Sequence, residues 1–98
     1  MILATGHVTA RPETLDEMLR LSLEHVERSR KEPGCLFHSV HQDVENPHRI
    51  VFLEHWADRA SLAAHFAVPE SGAFVRALYS LAGDRGRMDV YGAEPTRI

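Results

Sequence analysis

The strongest constraint on the fold is residues 49–57, which predict a β-strand that is apolar on both faces. Ile50 and Phe52 fall on one face of a regular strand, and Val51 and Leu53 fall on the other. A strand of this kind must be covered on both sides. Helices of the same chain would cover one side, and we expect an identical sheet from a second copy to cover the other.

The even-numbered positions of this strand are assigned to the helix side, so Phe52, Glu54 and Trp56 are expected under the helices. The odd-numbered positions, including Leu53 and His55, are expected to meet the partner. This assignment would place one carboxylate between two aromatic side chains beneath the helices.

The whole chain predicts the order β-α-β-β-α-β, with the second helical region split in two. This is the order of a ferredoxin-like split βαβ arrangement, an α+β fold whose antiparallel sheet carries helices on one face. The predicted elements are a strand at 2–11, a helix that starts with a capping box at Thr14 and Glu17 and stops at Pro33, strands at 35–43 and 49–57, a helical segment capped by Asp58 and broken by Pro69, a helix from about Ser71, and a strand at about 87–92.

Length and charge narrow the function classes. The 98 residues predict one domain, residues 1–98, and the net charge of −3 argues against a nucleic-acid partner. The single cysteine, Cys35, cannot form an internal disulfide, and residues 1–7 do not resemble a signal peptide. No apolar run approaches the roughly 20 residues that span a bilayer. We therefore expect a cytoplasmic protein without a membrane partner.

Glu54 is the first candidate for chemistry. If its carboxylate is desolvated beside Phe52 and Trp56, its pKa should rise toward a value useful for acid or base catalysis. The alternative is a structural ion pair with an arginine such as Arg49. Trp56 in turn would either stack on a planar aromatic ligand or serve only as the largest core residue.

The histidines are the second group of candidates. His65 follows Leu62 on the short helix and would accept a proton from a phenol, or else lie at the helix surface. His38 and His41 are three residues apart on a strand and therefore point to opposite faces, so they cannot share a metal. His25 does not complete a zinc-like spacing either, and we expect no metal site.

Four short motifs together resemble the antibiotic biosynthesis monooxygenase family over essentially the whole chain. They are Glu32-Pro33-Gly34-Cys35-Leu36, Asn46-Pro47, Glu54-x-Trp56 and Leu62-x-x-His65. The resemblance implies a dimeric α+β barrel with a cavity between sheet and helices in each subunit. Characterised relatives oxidise electron-rich phenols or quinols with O₂ and no cofactor, and others degrade haem or isomerise small metabolites.

The resemblance therefore implies a cofactor-independent monooxygenase that acts as a homodimer on a phenolic, quinol or polycyclic aromatic molecule with O₂. His65 and Glu54 are the expected catalytic residues, and no cofactor is expected. The expected substrate-binding residues are Trp56, Phe52, His38 and Phe66. Two alternatives remain open, a non-catalytic small-ligand-binding dimer and a haem-degrading relative in which His25 or His65 would ligate iron.

Two departures from the family pattern affect the substrate. His38 occupies a position that is often Tyr or Phe in such proteins. Glu70-Ser71 follows Pro69, where many relatives carry His and an aromatic residue. Both changes would alter the lining or mouth of a cavity, so a relative's substrate does not transfer to this chain.

Overall fold

A four-stranded antiparallel sheet with three helices on one face makes up the computed structural model, which describes residues 1–98. The strand order is β2-β3-β1-β4, as the ferredoxin-like prediction requires. None of the helices is long and apolar enough to cross a membrane. The elements are β1 (Ile2–Ala10), α1 (Leu15–Ser29), β2 (Cys35–Gln42), β3 (Arg49–Trp56), α2 (Arg59–Ala67), α3 (Pro69–Leu81) and β4 (Ala82–Gly92).

β3 alternates in burial as its sequence predicts. Ile50, Phe52, Glu54 and Trp56 are buried under the helices, and the residues between them are half-buried on the outer face. The apolar core lies at the Ile50 end, where Val8, Met18, Val26 and Leu78 pack together. At the Glu54 end the same layer contains polar side chains, and this polar end of the core is the candidate site.

The start of α1 differs from the prediction. A three-residue 3₁₀ turn, Pro12–Thr14, precedes the helix, and Thr14 does not cap α1 with its side chain. Its hydroxyl instead donates to the Leu81 carbonyl at 2.7 Å, while Glu17 pairs with Arg20 at 2.6 Å. The capping-box prediction is therefore wrong, because a tertiary contact to the end of α3 takes the Thr14 hydroxyl.

Gly34 directs the connection between α1 and β2 past the start of α2. Its φ is +81°, and a Cβ at this position would overlap the side chain of Ser61. The Gly34 carbonyl also accepts from the Ala57 amide at 2.8 Å. Asp58 caps α2 as predicted, since its carboxylate accepts from the Ser61 amide at 2.8 Å. This close approach leaves Glu32 beside α2.

The last two elements begin earlier than the sequence predicts. Pro69 ends the α2 segment but is also the first residue of α3, where its missing amide costs no hydrogen bond. β4 begins at Ala82 rather than near residue 87, and it pairs with β1 through an irregular register. At Gly86, φ is +65° and a Cβ would overlap the His7 carbonyl. Pairing with β1 extends β4 through a segment whose glycines do not favour a strand.

Candidate active site

The carboxylate of Glu54 is the centre of the polar end of the core. Its side chain is 4% exposed, and Oε1 accepts a hydrogen bond from Trp56 Nε1 at 2.9 Å. His38 lies opposite Glu54 in the β2–β3 register and brings Nε2 to 3.3 Å from the same oxygen. His65 Nε2 approaches that oxygen to 3.9 Å. One carboxylate oxygen therefore has three nitrogen neighbours.

The pKa of Glu54 is lowered, contrary to the expectation that desolvation would raise it. Burial does favour the neutral form, but the contact and charge of His38, the Trp56 N–H and the charge of His65 together outweigh it. The contact from His38 Nε2, at 3.3 Å, is longer than the Trp56 hydrogen bond at 2.9 Å. Glu54 is therefore ionised at neutral pH and acts as an acceptor rather than as an acid.

His65 is held from α2 by a second carboxylate that the sequence did not single out. Its Nδ1 lies 2.7 Å from Glu32 Oε1, and its side chain is only 2% exposed. A carboxylate only accepts, so Nδ1 carries a proton and, in the neutral ring, Nε2 keeps the lone pair. The ring lies with its centroid 4.7 Å from that of Trp56. Glu32 thus fixes both the orientation and the tautomer of His65.

The only signal for Glu32 in the sequence was its place in the Glu32-Pro33-Gly34 helix stop, which carries no information about a partner. The side chain reaches His65 because Gly34 lets the chain pass under α2. A shallow groove lined by Glu32, Ser61 and His65 lies on this side of the ring. The Glu32 side chain is 15% exposed. It therefore contacts both solvent and the buried imidazole of His65.

His25 is a third buried imidazole, contributed by α1. Its ring stacks on Phe74 with centroids 4.0 Å apart, and its Nδ1 accepts from the Arg28 guanidinium at 2.8 Å. Burial lowers the pKa of His25 to about 3, and the charges of His38, His65 and Arg28 act in the same direction. His25 is therefore neutral, in contrast to an ordinary surface histidine.

Histidines 25, 38 and 65 converge although they are far apart in sequence. Their ring centroids are 5.2 to 5.5 Å apart, and one ring nitrogen from each lies within 4.8 Å of the others. His38 and His41 do face opposite sides of β2, as predicted, with His38 buried and His41 exposed. The sequence analysis considered His25 only with the strand histidines His38 and His41, and it did not predict this cluster, because α1 and α2 bring His25 and His65 to His38.

A cavity of about 250 Å³ opens beside this cluster, between α3 and the β1–β4 side of the sheet. Buried polar groups form its inner end, and Phe52, Phe66 and Phe74 form much of its apolar wall. Exposed side chains surround its mouth, and they include Tyr79, Arg85, Arg87 and Met88. The polar groups at its inner end are His25, Glu54 and His65.

The structure separates the six sequence-predicted site residues into two groups. His65, Glu54, Phe52 and Phe66 line the cavity. Trp56 and His38 do not line it, and they lie fully buried behind Glu54. The indole is therefore placed to hold the Glu54 carboxylate, and it is not part of the cavity wall.

Folding stability should depend on pH through His25. The unfolded state binds its proton near pH 6.5 and the folded state only near pH 3, so acidification favours unfolding across that window. Between pH 7.5 and pH 5 the loss should be about 2 kcal/mol. Because the pKa of Glu54 is lowered, protonation of Glu54 would reduce the free energy of unfolding only below this pH range.

Urea unfolding of the wild type and of His25→Phe at the two pH values measures this dependence. The variant keeps the stacking on Phe74 but has no titrating ring, so its free energy of unfolding should change little. His48→Phe, in the turn between β2 and β3, is the matched control and should keep the wild-type dependence. Equal pH dependence in the wild type and His25→Phe would contradict the assignment.

Comparisons with protein families and with solved structures indicate the same family. Residues 1–77 match the profile of a family described as "Antibiotic biosynthesis monooxygenase". A curated Synechocystis protein, the uncharacterized protein sll1783, is 30% identical over 96 residues, which make up 98% of this chain and 65% of the relative. The chain thus spans about two thirds of the length of that relative.

Solved structures of similar proteins share the whole fold. A Deinococcus radiodurans structure, described as a candidate antibiotic biosynthesis monooxygenase, superposes with a TM-score of 0.94 at 25% identity and covers 100% of this chain and 97% of its own. A second structure, described as an antibiotic biosynthesis monooxygenase, has a TM-score of 0.89 at 32% identity and covers 97% of this chain and 100% of its own. The match extends over every element that forms the cavity.

Proposed function

The chain belongs to the antibiotic biosynthesis monooxygenase family, and from this membership and the cavity we propose that it oxidises a phenol or quinol with O₂ without a cofactor. The observation that carries the proposal is His65. Its ring lines an aromatic-walled cavity, and its Nδ1 is anchored on a carboxylate at 2.7 Å, which leaves Nε2 as the nitrogen that can accept a proton. This arrangement supports a general base next to a planar substrate.

The reaction needs deprotonation of the substrate before oxygen can react. Ground-state O₂ is a triplet and reacts slowly with closed-shell molecules, but a phenolate donates one electron readily. His65 Nε2 takes the phenolic proton, the anion passes an electron to O₂, and the two radicals combine to a peroxide anion. The His65 imidazolium then returns its proton to this anion, which gives a hydroperoxide and restores the base. Loss of water then gives the quinone, so one substrate and one O₂ yield one quinone and one H₂O.

Two carboxylates support the proton transfer from opposite sides of the ring. The Glu32 carboxylate accepts from Nδ1 at 2.7 Å and stabilises the imidazolium that forms. Glu54, 3.9 Å from Nε2, adds a second negative charge and orients a polar group of the substrate. Its lowered pKa makes Glu54 a weaker base than an ordinary carboxylate, which favours His65 as the proton acceptor.

The cavity also limits the substrate. Its volume of about 250 Å³ lies below the range of roughly 300–1,000 Å³ of most small-molecule sites, and this favours one- or two-ring substrates over larger polycyclic ones. The same volume is unfavourable for a tetrapyrrole, which weakens the haem-degrading alternative. At the mouth Arg85 lies over the Tyr79 ring at 5.2 Å, and its charge would attract a phenolate or other anion.

Oxygen uptake with a panel of one- and two-ring hydroquinones tests the function, and three-ring anthrones are the larger compounds that the cavity should accept less well. His65→Gln should lower kcat by roughly 10²-fold or more, because the amide can still donate to Glu32 but cannot take the proton. His48→Gln, in the turn between β2 and β3 and outside the cavity lining, should retain wild-type kcat. Tight binding of the same compounds without oxygen uptake would support the ligand-binding alternative and contradict the oxygenase proposal. Equal loss in both variants would show that His65 is not the base.

Glu32 is proposed as a positioning residue, and its variant should separate kcat from KM. Glu32 does not line the cavity, so Glu32→Gln should lower kcat by about tenfold to a hundredfold through misplacement of the imidazole and leave KM nearly unchanged. Steady-state kinetics by oxygen electrode measures both constants. Glu27→Gln, at an exposed site on α1, is the control. A rise in KM with unchanged kcat would contradict the positioning role.

We also propose that the protein works as a homodimer through the outer face of the sheet. Half-buried Val51 and Leu53 lie on this face, together with Phe37 and Tyr91, which are 44% and 51% exposed. A second sheet would cover this apolar surface, as in any sheet that is apolar on both faces. Because its one cysteine, Cys35, is a free thiol, we propose a cytoplasmic location for this dimer.

Light scattering after size exclusion should give twice the chain mass of 11.0 kDa for the wild type. Leu53→Glu would bury a charge in the proposed interface, and its mass should fall to that of one chain. Val44→Glu, at a fully exposed position between β2 and β3, should leave the mass unchanged. A wild-type protein that elutes as a single copy at micromolar concentration would overturn the dimer.

A further inference from the structure

The convergence of three buried histidines supplies a donor set beyond what the proposed reaction uses. We propose that His25, His38 and His65 form a binding site for one divalent transition-metal ion of the zinc class, with Glu54 as the fourth ligand. The three residues come from α1, β2 and α2, and one ring nitrogen from each lies within 4.8 Å of the other two. Glu54 Oε1 lies 3.3 Å from His38 Nε2 and 3.9 Å from His65 Nε2.

The distances require only a small contraction of the cluster. Zinc binds imidazole nitrogen at about 2.0–2.1 Å, so two nitrogens on one tetrahedral ion are roughly 3.3 Å apart. The nitrogens of this cluster lie within 4.8 Å of one another, so side-chain movements of about an ångström would close the site. Rotation of imidazole rings on three separate elements can supply movements of that size.

His38 gives the independent sign of a missing ligand. The residue is 1% exposed, its buried Nδ1 has no partner, and its buried Nε2 has only the 3.3 Å contact with Glu54 Oε1. A buried ring nitrogen without a partner is unfavourable, and buried polar atoms in proteins are nearly always satisfied. A metal ion between the three rings would bind one of the two His38 nitrogens.

Of the two other histidines, His65 already has the outer contact that a metal ligand needs, whereas His25 would have to change its own. His65 donates from Nδ1 to Glu32, the carboxylate–histidine pairing that orients metal-bound imidazoles, and its Nε2 is left for the ion. His25 accepts from Arg28 through Nδ1, and Arg28 also donates to Ser71 Oγ at 3.2 Å. Binding through His25 requires either loss of its Nε2 proton or release of Arg28 to Ser71.

The donor atoms select the class of ion. Imidazole nitrogens with one carboxylate suit Zn²⁺, Ni²⁺, Cu²⁺ and Fe²⁺, whereas Ca²⁺ and Mg²⁺ prefer sites made of oxygen. His65 Nε2 is the atom that the proposed oxygenase uses as a base, and it cannot hold an ion and accept a proton at once. Metal loading would therefore silence the proposed oxygen uptake, although binding itself is measured without any substrate.

Titration of the chelator-treated protein with Zn²⁺ in a calorimeter, and with Co²⁺ followed by visible absorption, tests the site. We expect one ion per chain, tetrahedral Co²⁺ bands that Zn²⁺ displaces, and a raised melting temperature. His38→Asn should weaken binding by roughly tenfold or more, and His41→Asn, three residues away on the exposed face of β2, should not.

If His38→Asn does not fold, His25→Asn provides the same comparison, because it removes a different ligand of the same ion. Wild-type affinity in His38→Asn or in His25→Asn would overturn the proposal. Binding that is lost in His41→Asn would also overturn it and indicate an adventitious surface site. Failure of the wild type to bind one ion per chain would overturn it directly, while the oxygenase proposal would stand.

Discussion

The buried carboxylate of Glu54 is the interaction on which the candidate site depends. A charge in an apolar layer is unfavourable unless nearby groups compensate it. Trp56 supplies an N–H at 2.9 Å, and the rings of His38 and His65 approach the same oxygen from β2 and α2. The buried layer is apolar around Ile50. Further along β3, at Glu54, it becomes polar because the carboxylate needs these partners.

The parts of the structure that sequence predicted are those set by local periodicity. The two-residue alternation of β3 is a property of the strand itself, so it showed that Phe52, Glu54 and Trp56 would share the helix-covered face. Asp58 was recognised because an N-cap depends only on residues within one helical turn. The family motifs added the cavity and the candidate base His65, which no local pattern contains.

The parts that sequence did not predict arise from long-range contacts. Glu32 reaches His65 only because Gly34 lets the chain pass beneath α2, and nothing near Glu32 in the sequence indicates that path. His25 joins the cluster from α1, eight residues before Pro33, and nothing near it in the sequence indicates His38 or His65 as neighbours. The direction of the Glu54 pKa was also missed, because it is decided by three partners from different elements rather than by burial alone.

The central claim is that His65 presents a free acceptor nitrogen to the cavity and holds its proton on the Glu32 side. Nitrogen-detected NMR of the histidine rings reports this tautomer directly, with and without an unreactive phenol analogue. The account predicts a proton on Nδ1 in the neutral ring, and a change at Nε2 when the phenol binds. A proton on Nε2, or an Nε2 signal that the phenol leaves unchanged, would contradict it.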